Sequence, residues 1–340
     1  MEGAFFLSNW FLEAMKWVYS NIALENTVLT IVVCTVLLRC VTIFSDIKTR
    51  KSSAKMALIQ PELERLQKKY KDNPQKLQIE HKKLMKEGGV SMWSSCLPLL
   101  ITFPLFICFF EAFRYWANEQ MIELLLTANR DAAEATKLFA SYKFLWVNNI
   151  WQADNGFKPV VMDAVSFLST KNLSHLLFFK HNPDALLTFE QLGLAIQSKM
   201  VVGGEVKTVW TFLTSDSAIA TYNTLTAPFK EMYAGHNNGW FIWPLIAGGL
   251  MFLASKLQQP KKPKDKSASA GNAASQQEQT NKLMMYMFPI VSFIACLSSN
   301  AAFAIYWSIS NVCMIVINLI LNKKYPRVAP DAAGASGEKK

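Results

Sequence analysis

Residues 27–46 read TVLTIVVCTVLLRCVTIFSD. About twenty apolar helical residues cross the ~30 Å hydrocarbon core of a bilayer, so this stretch predicts a membrane-spanning helix. It carries one cation, Arg39. A central arginine costs about 2.5–3.5 kcal/mol on insertion scales, so such a residue normally faces a bundle interior or a water-filled cavity. Thr35, Arg39, Thr42 and Asp46 recur at i, i+4, i+7 and i+11, which is one helical stripe. A polar stripe on an apolar helix points to a wetted surface inside the membrane. Snorkelling is the competing account: Arg39 lies seven residues from Asp46, roughly 10 Å of helix. It does not require the two threonines.

Working outward, apolar runs alternate with charged ones, although the mean hydropathy of the whole chain is only +0.15. Residues 1–26 hold Glu2, Glu13 and Glu25 against Lys16, unlike a transit peptide or a cleaved signal. Trp10, Phe11, Met15, Trp17 and Val18 predict an amphipathic helix lying in the interface. Residues 47–93 are charged and predict a cytoplasmic helical hairpin, broken at Asp72-Asn73-Pro74 and ended at Gly88-Gly89. Further spans are expected at 94–114, which contains Pro98 and Pro104, and at 240–257, where Gly248-Gly249 allows close helix approach. An outer loop or insert covers 115–239, and a flexible linker 258–282. Residues 283–321 are too long for one helix and predict two, 283–300 and 301–321, turning near Ser298, Ser299 and Asn300. The tail 322–340 is short, basic and expected to be disordered. The fold class is therefore all-α, with five transmembrane helices.

Lysine and arginine set the orientation. Residues 47–93 hold 12, 256–282 hold 6 and the tail 5, whereas the much longer 115–239 holds 9 against 11 acidic residues. The basic segments go to the cytoplasm, with the N-terminus outside and the C-terminus inside. The six cysteines, Cys34, Cys40, Cys96, Cys108, Cys296 and Cys313, sit in or beside apolar runs. They have no metal spacing and read as packing residues. No His-Glu-x-x-His, Gly-x-Ser-x-Gly or paired intramembrane aspartate occurs, which argues against an intramembrane enzyme. A transporter using the intramembrane arginine is the alternative, but it would want polar groups on several spans. A nucleic-acid binder would want a stacking platform in the basic hairpin.

Several stretches together resemble the YidC/Oxa/Alb3 family of membrane protein insertases, in its bacterial five-span form. They are Val36-Leu37-Leu38-Arg39, Gln60-Pro61-Glu62-Leu63, Leu66-Gln67-Lys68-Lys69-Tyr70, Cys96-Leu97-Pro98 through Phe103-Pro104-Leu105, Phe144-Leu145-Trp146, Met284-Met285-Tyr286-Met287-Phe288-Pro289 and Tyr306-Trp307-Ser308-Ile309-Ser310-Asn311. The resemblance covers residues 20–114 and 240–324. Residues 147–238 exceed a minimal member's loop, and Asn300-Ala301-Ala302 replaces the family's Pro-Ala-Gly-like turn.

The resemblance implies a hydrophilic groove open to the cytoplasm and to lipid. Thr35, Arg39 and Thr42 would line it, with Tyr306 and Trp307 on the facing helix. Pro98, Phe103, Pro104 and Met287 would guide a substrate segment out along the second and fourth spans. It implies no catalysis and no cofactor. The implied location is the bacterial inner membrane. The implied partners are nascent membrane proteins, the Sec translocon, the lipid bilayer, and ribosomes or signal-recognition factors met by the basic hairpin and tail.

Overall fold

The computed structural model describes residues 2–71, 73–89, 97–202, 205–258 and 272–324. Cys96, the end of the tail and most of the linker 258–282 lie outside them. The helices are α1 (Glu2–Asn21), α2 (Thr27–Lys69), α3 (Pro74–Glu87), α4 (Leu97–Arg130), α5 (Ala132–Ala140), α6 (Ala164–Leu168), α7 (Leu177–His181), α8 (Asp184–Gln191), α9 (Asp216–Met232), α10 (Ile242–Gln258), α11 (Asn272–Ser298) and α12 (Ala301–Lys324). Between α8 and α9 lie two strands, β1 (Ala195–Val202) and β2 (Glu205–Phe212). The chain forms two compact units. One comprises residues 1–28, 108–245 and 294–305; the other comprises 29–107, 246–293 and 306–340.

In the second unit, α2 runs on without a break from the apolar stretch into the charged arm. Lys68 and Lys69 occupy its last turn, where they complement the negative helix end. Pro74 opens α3 and the Asn73 side chain accepts the Lys76 N–H at 3.0 Å, which fixes the hairpin break. Gly88 closes α3, and a Cβ there would meet Ile59 of α2 at 2.8 Å. Glycine thus lets the two arms approach. Likewise a Cβ on Gly248 already meets the Pro289 carbonyl oxygen at 3.3 Å, so α10 and α11 lie close.

In the first unit, α1 packs its buried Leu12, Met15 and Val18 inward. Phe11 meets Phe109, and Tyr19 meets Trp116 edge-on, both on α4. Helix α4 continues sixteen residues past the expected span end at 114, to Arg130. Asp131 then caps α5 by accepting the Ala133 and Glu134 N–H groups. The expected loop 115–239 is thus a folded insert with its own aromatic core. Phe139 stacks on Phe229, Phe167 tilts on Tyr222, and Phe179 and Phe189 enclose Phe212.

Two expectations need correction. The chain is mostly helical but not all-α. β1 and β2 pair antiparallel from Ala195↔Phe212 to Val202↔Glu205. Val201, Val202, Val206 and Val209 around Gly203-Gly204 carry the β-branched, glycine-turn signal of a hairpin, which the helical periodicity elsewhere obscured. Helix α11 also starts at Asn272, inside the segment assigned to a linker. Its Ala, Gln and Glu residues are good helix formers.

A buried carboxylate ties the insert to the start of α10. Asp154, 0% exposed, accepts the Trp146 indole N–H at 3.0 Å and the backbone N–H groups of Trp240, Phe241 and Trp243 at 2.7, 3.1 and 2.7 Å. A Cβ on Gly239 would lie 2.0 Å from Asp154 Oδ1, so only glycine fits there. Asn300 organises the α11–α12 turn. Its amide donates to the Phe113 carbonyl, and its side-chain oxygen accepts the Phe303 N–H, both at 2.9 Å.

Candidate functional site

The second unit has the reverse of a water-soluble protein's polarity. Thr35, Ser292, Ser308, Ser310, Asn311 and Asn318 are buried. Outward stand Leu37, Val41 and Phe44 of α2, the latter two 72% and 77% exposed, with Leu283, Met287 and Ile290 of α11 and Val312, Val316 and Leu319 of α12. Each trio recurs at helical spacing. In water such stripes would forfeit about 25 cal/mol for each Å² of apolar surface left wet. Against lipid tails they lose nothing. Among the described residues, Thr27–Ser52 and Ala301–Lys323 are long and apolar enough to cross a membrane; Ile242–Gln258 and Met285–Ser298 are shorter apolar helices.

Within this interior α2 meets α12. Arg39 donates from Nε to Ser310 Oγ at 3.1 Å, and its Nη2 also donates to that hydroxyl. Tyr306, buried, hydrogen-bonds Ser310 and feels the Arg39 charge, as does Asp46. Among the described residues the cation's hydrogen-bond partner is thus a neutral hydroxyl, and it makes no salt bridge. The Asn311 amide nitrogen is buried without a hydrogen-bond partner among the described residues; a buried donor of this kind calls for water.

The remaining expected site residues separate into three groups. Thr35 and Thr42 share Arg39's helix but turn their hydroxyls onto it, Thr35 to the Ile31 carbonyl at 2.6 Å and Thr42 to the Arg39 carbonyl at 3.3 Å. Such back-bonding gives each hydroxyl proton a local acceptor. Trp307 donates its indole N–H to Ser292 on α11 at 2.5 Å and packs edge-on against Phe106, centroids 5.0 Å apart. It braces α12 against α11 and α4. Pro104 sits exposed inside α4, and Met287 is 42% exposed on α11. The Pro98 and Phe103 side chains lie outside the described residues. In the sequence Ser310 stands out only as part of the Tyr306–Asn311 stretch. Its signal is weak, because serine is common and its partner lies 271 positions away.

Apolar stripes facing outward around a buried polar interior with a fixed cation define a helical membrane protein. The chain belongs to the family described as 60Kd inner membrane protein, whose sequence model matches residues 17–232 and 223–328. A membrane protein insertase YidC of Clostridium perfringens is 35% identical over 144 residues, 42% of this chain and 52% of that protein. The Chlorobium limicola protein of the same name is 40% identical over 103 residues, 30% of this chain and 17% of the relative. That of Francisella tularensis subsp. novicida is 32% identical over 166 residues, 48% and 27% respectively. The alignment thus spans about half the Clostridium perfringens protein and less of the other two.

Proposed function

We propose that this chain is a membrane protein insertase of the bacterial inner membrane. It would receive substrate segments from the cytoplasm and release them into lipid. The observation that carries the reading is Arg39, held on Ser310 in a polar interior whose outer faces are apolar. Five spans, formed by parts of α2, α4, α10, α11 and α12, would enclose a groove open to the cytoplasm. The lysine and arginine asymmetry supports an external N-terminus and a cytoplasmic C-terminus.

In this mechanism a substrate's short outer tail crosses a shortened apolar barrier. Water reaches partway in, and Arg39 attracts acidic tails transiently. The substrate's apolar segment leaves between α4 and α11, past Pro104 and Met287. No bond forms or breaks. The basic α2–α3 hairpin meets ribosomes or targeting factors, and insertion runs alone or beside the Sec translocon. The relatives' names support insertion, not solute transport.

The test is insertion of one single-span substrate, with an acidic or a neutralised outer tail, by protein reconstituted in liposomes. At an effective dielectric of about 20, a charge about 8 Å away interacts by roughly 2 kcal/mol, about thirtyfold in a rate. Arg39→Ala should lose about that factor for the acidic tail and little for the neutral one. Arg39→Lys should retain most activity, because the charge survives. Equal losses for both tails would remove the electrostatic mechanism.

A further inference from the structure

In the first unit α1 and α7 border an open cavity of about 400 Å³, within the size range of small-ligand sites. Glu13, Lys16, Trp17, Ser20 and Asn21 of α1 form one wall and His181 of α7 the other; the buried Leu177 closes its base. The charges around it are unequal. Lys16 is already engaged, with its ammonium 2.5 Å from the buried Glu119 carboxylate. The other Glu119 oxygen accepts the Phe178 N–H at 2.8 Å, which locks α7 to α4. Lys16 also acts on Glu123, one turn further along α4. Glu13 makes no ion pair among the described residues. The cavity therefore offers one free carboxylate, one shared ammonium, an imidazole, a hydroxyl and the second N–H of the Asn21 amide, whose nitrogen already donates to the Trp17 carbonyl at 2.9 Å.

The place of α1 in the chain, directly before the apolar run that begins at Thr27, points to a membrane surface. Trp10 and Trp17 are 54% and 60% exposed on α1. A tight turn through Leu24 and Glu25, both in the left-handed region, follows and leads into the apolar α2 at Thr27. Exposed tryptophans just before a span mark the level of the headgroups.

We propose that this cavity holds the headgroup of a phosphatidylethanolamine-type lipid, with the ammonium on Glu13 and the phosphate taking donors from Lys16, Ser20, Asn21 and His181. Charge balance selects the zwitterion. A purely anionic headgroup would face Glu13 uncompensated while Lys16 is held by Glu119. A choline headgroup carries the positive charge but no N–H to donate. The inference rests on the membrane reading of the chain and not on insertion.

Native mass spectrometry of the detergent-solubilised full chain tests it by titrating phosphatidylethanolamine, phosphatidylcholine, phosphatidylglycerol and soluble phosphoethanolamine. One phosphatidylethanolamine should bind per chain more tightly than the other two lipids. Glu13→Gln and His181→Ala should each weaken it by about fivefold, the upper end for an exposed ion pair. Equal retention of the three lipids, or binding unchanged in both variants, overturns the site. Soluble phosphoethanolamine binding as tightly as the lipid overturns the lipid as its source. Because no substrate is present, these outcomes leave the insertase reading standing or falling on its own assay.

Discussion

Replacing Asp154 with asparagine keeps the side chain's size and changes one oxygen to an amide nitrogen. In the wild type Oδ1 accepts Trp240 N–H and Phe241 N–H, while Oδ2 accepts Trp146 Nε1–H and Trp243 N–H. Whichever way the new amide turns, two of these donors face an NH2 group and lose their acceptor. Each orphaned buried donor costs about 1–3 kcal/mol, so Asp154→Asn should cost about 2–6 kcal/mol at the start of α10. The assay is hydrogen exchange of amides 240–243 in detergent or nanodiscs, where local opening sets the rate. Exchange there should accelerate by about thirtyfold or more, with Asp184→Asn on α8 as an inert control. Gly239→Ala drives a methyl into Asp154 and should open the same clasp, so the double variant should be little worse than either single one. Unchanged exchange at 240–243 in Asp154→Asn would refute the clasp.

Replacing residues 156–230 with a flexible linker removes Phe229, the stacking partner of Phe139, so the melting temperature should fall. Insertion in liposomes should persist, because the Arg39–Ser310 pair lies elsewhere in the chain; complete loss of activity in a stably folded deletion would place the insert in the mechanism. Asn73→Ala removes the cap on Lys76 N–H, at a cost of about 1 kcal/mol to α3. Insertion should slow while membrane integration stays normal, and an unimpaired rate would make the hairpin an inert strut. Burial raises the Glu123 carboxyl above its ordinary 4.5, with Lys16 and Arg130 opposing and Glu119 adding to the rise. Stability linked to Glu123 is therefore greatest below 4.5 and is lost as the pH rises through its folded-state value. Glu123→Gln should melt higher than wild type at pH ~7–8, with the gap closing on acidification; a pH-independent gap would refute the assignment.

Much of this protein is local information, and the sequence determined it. Apolar runs of span length, Asn73-Pro74, Gly88 and the Ser299–Asn300 turn set where helices begin and end, because periodicity, capping and proline act within a few residues. Arg39 was legible as a polar anomaly for the same reason. Where the hydroxyls of Thr35 and Thr42 turn was not legible, since that depends on what packs beside them. The β1–β2 hairpin was written in β-branched valines flanking a glycine pair, yet it was hidden in a segment that matched no span. Tertiary structure alone decided which polar groups meet. Arg39 finds Ser310 271 positions away, Trp307 finds Ser292, and Asp154 gathers donors from Trp146 and from residues 240–243. A buried donor or acceptor must be satisfied by whatever the packing brings near, and only the folded chain specifies that neighbour.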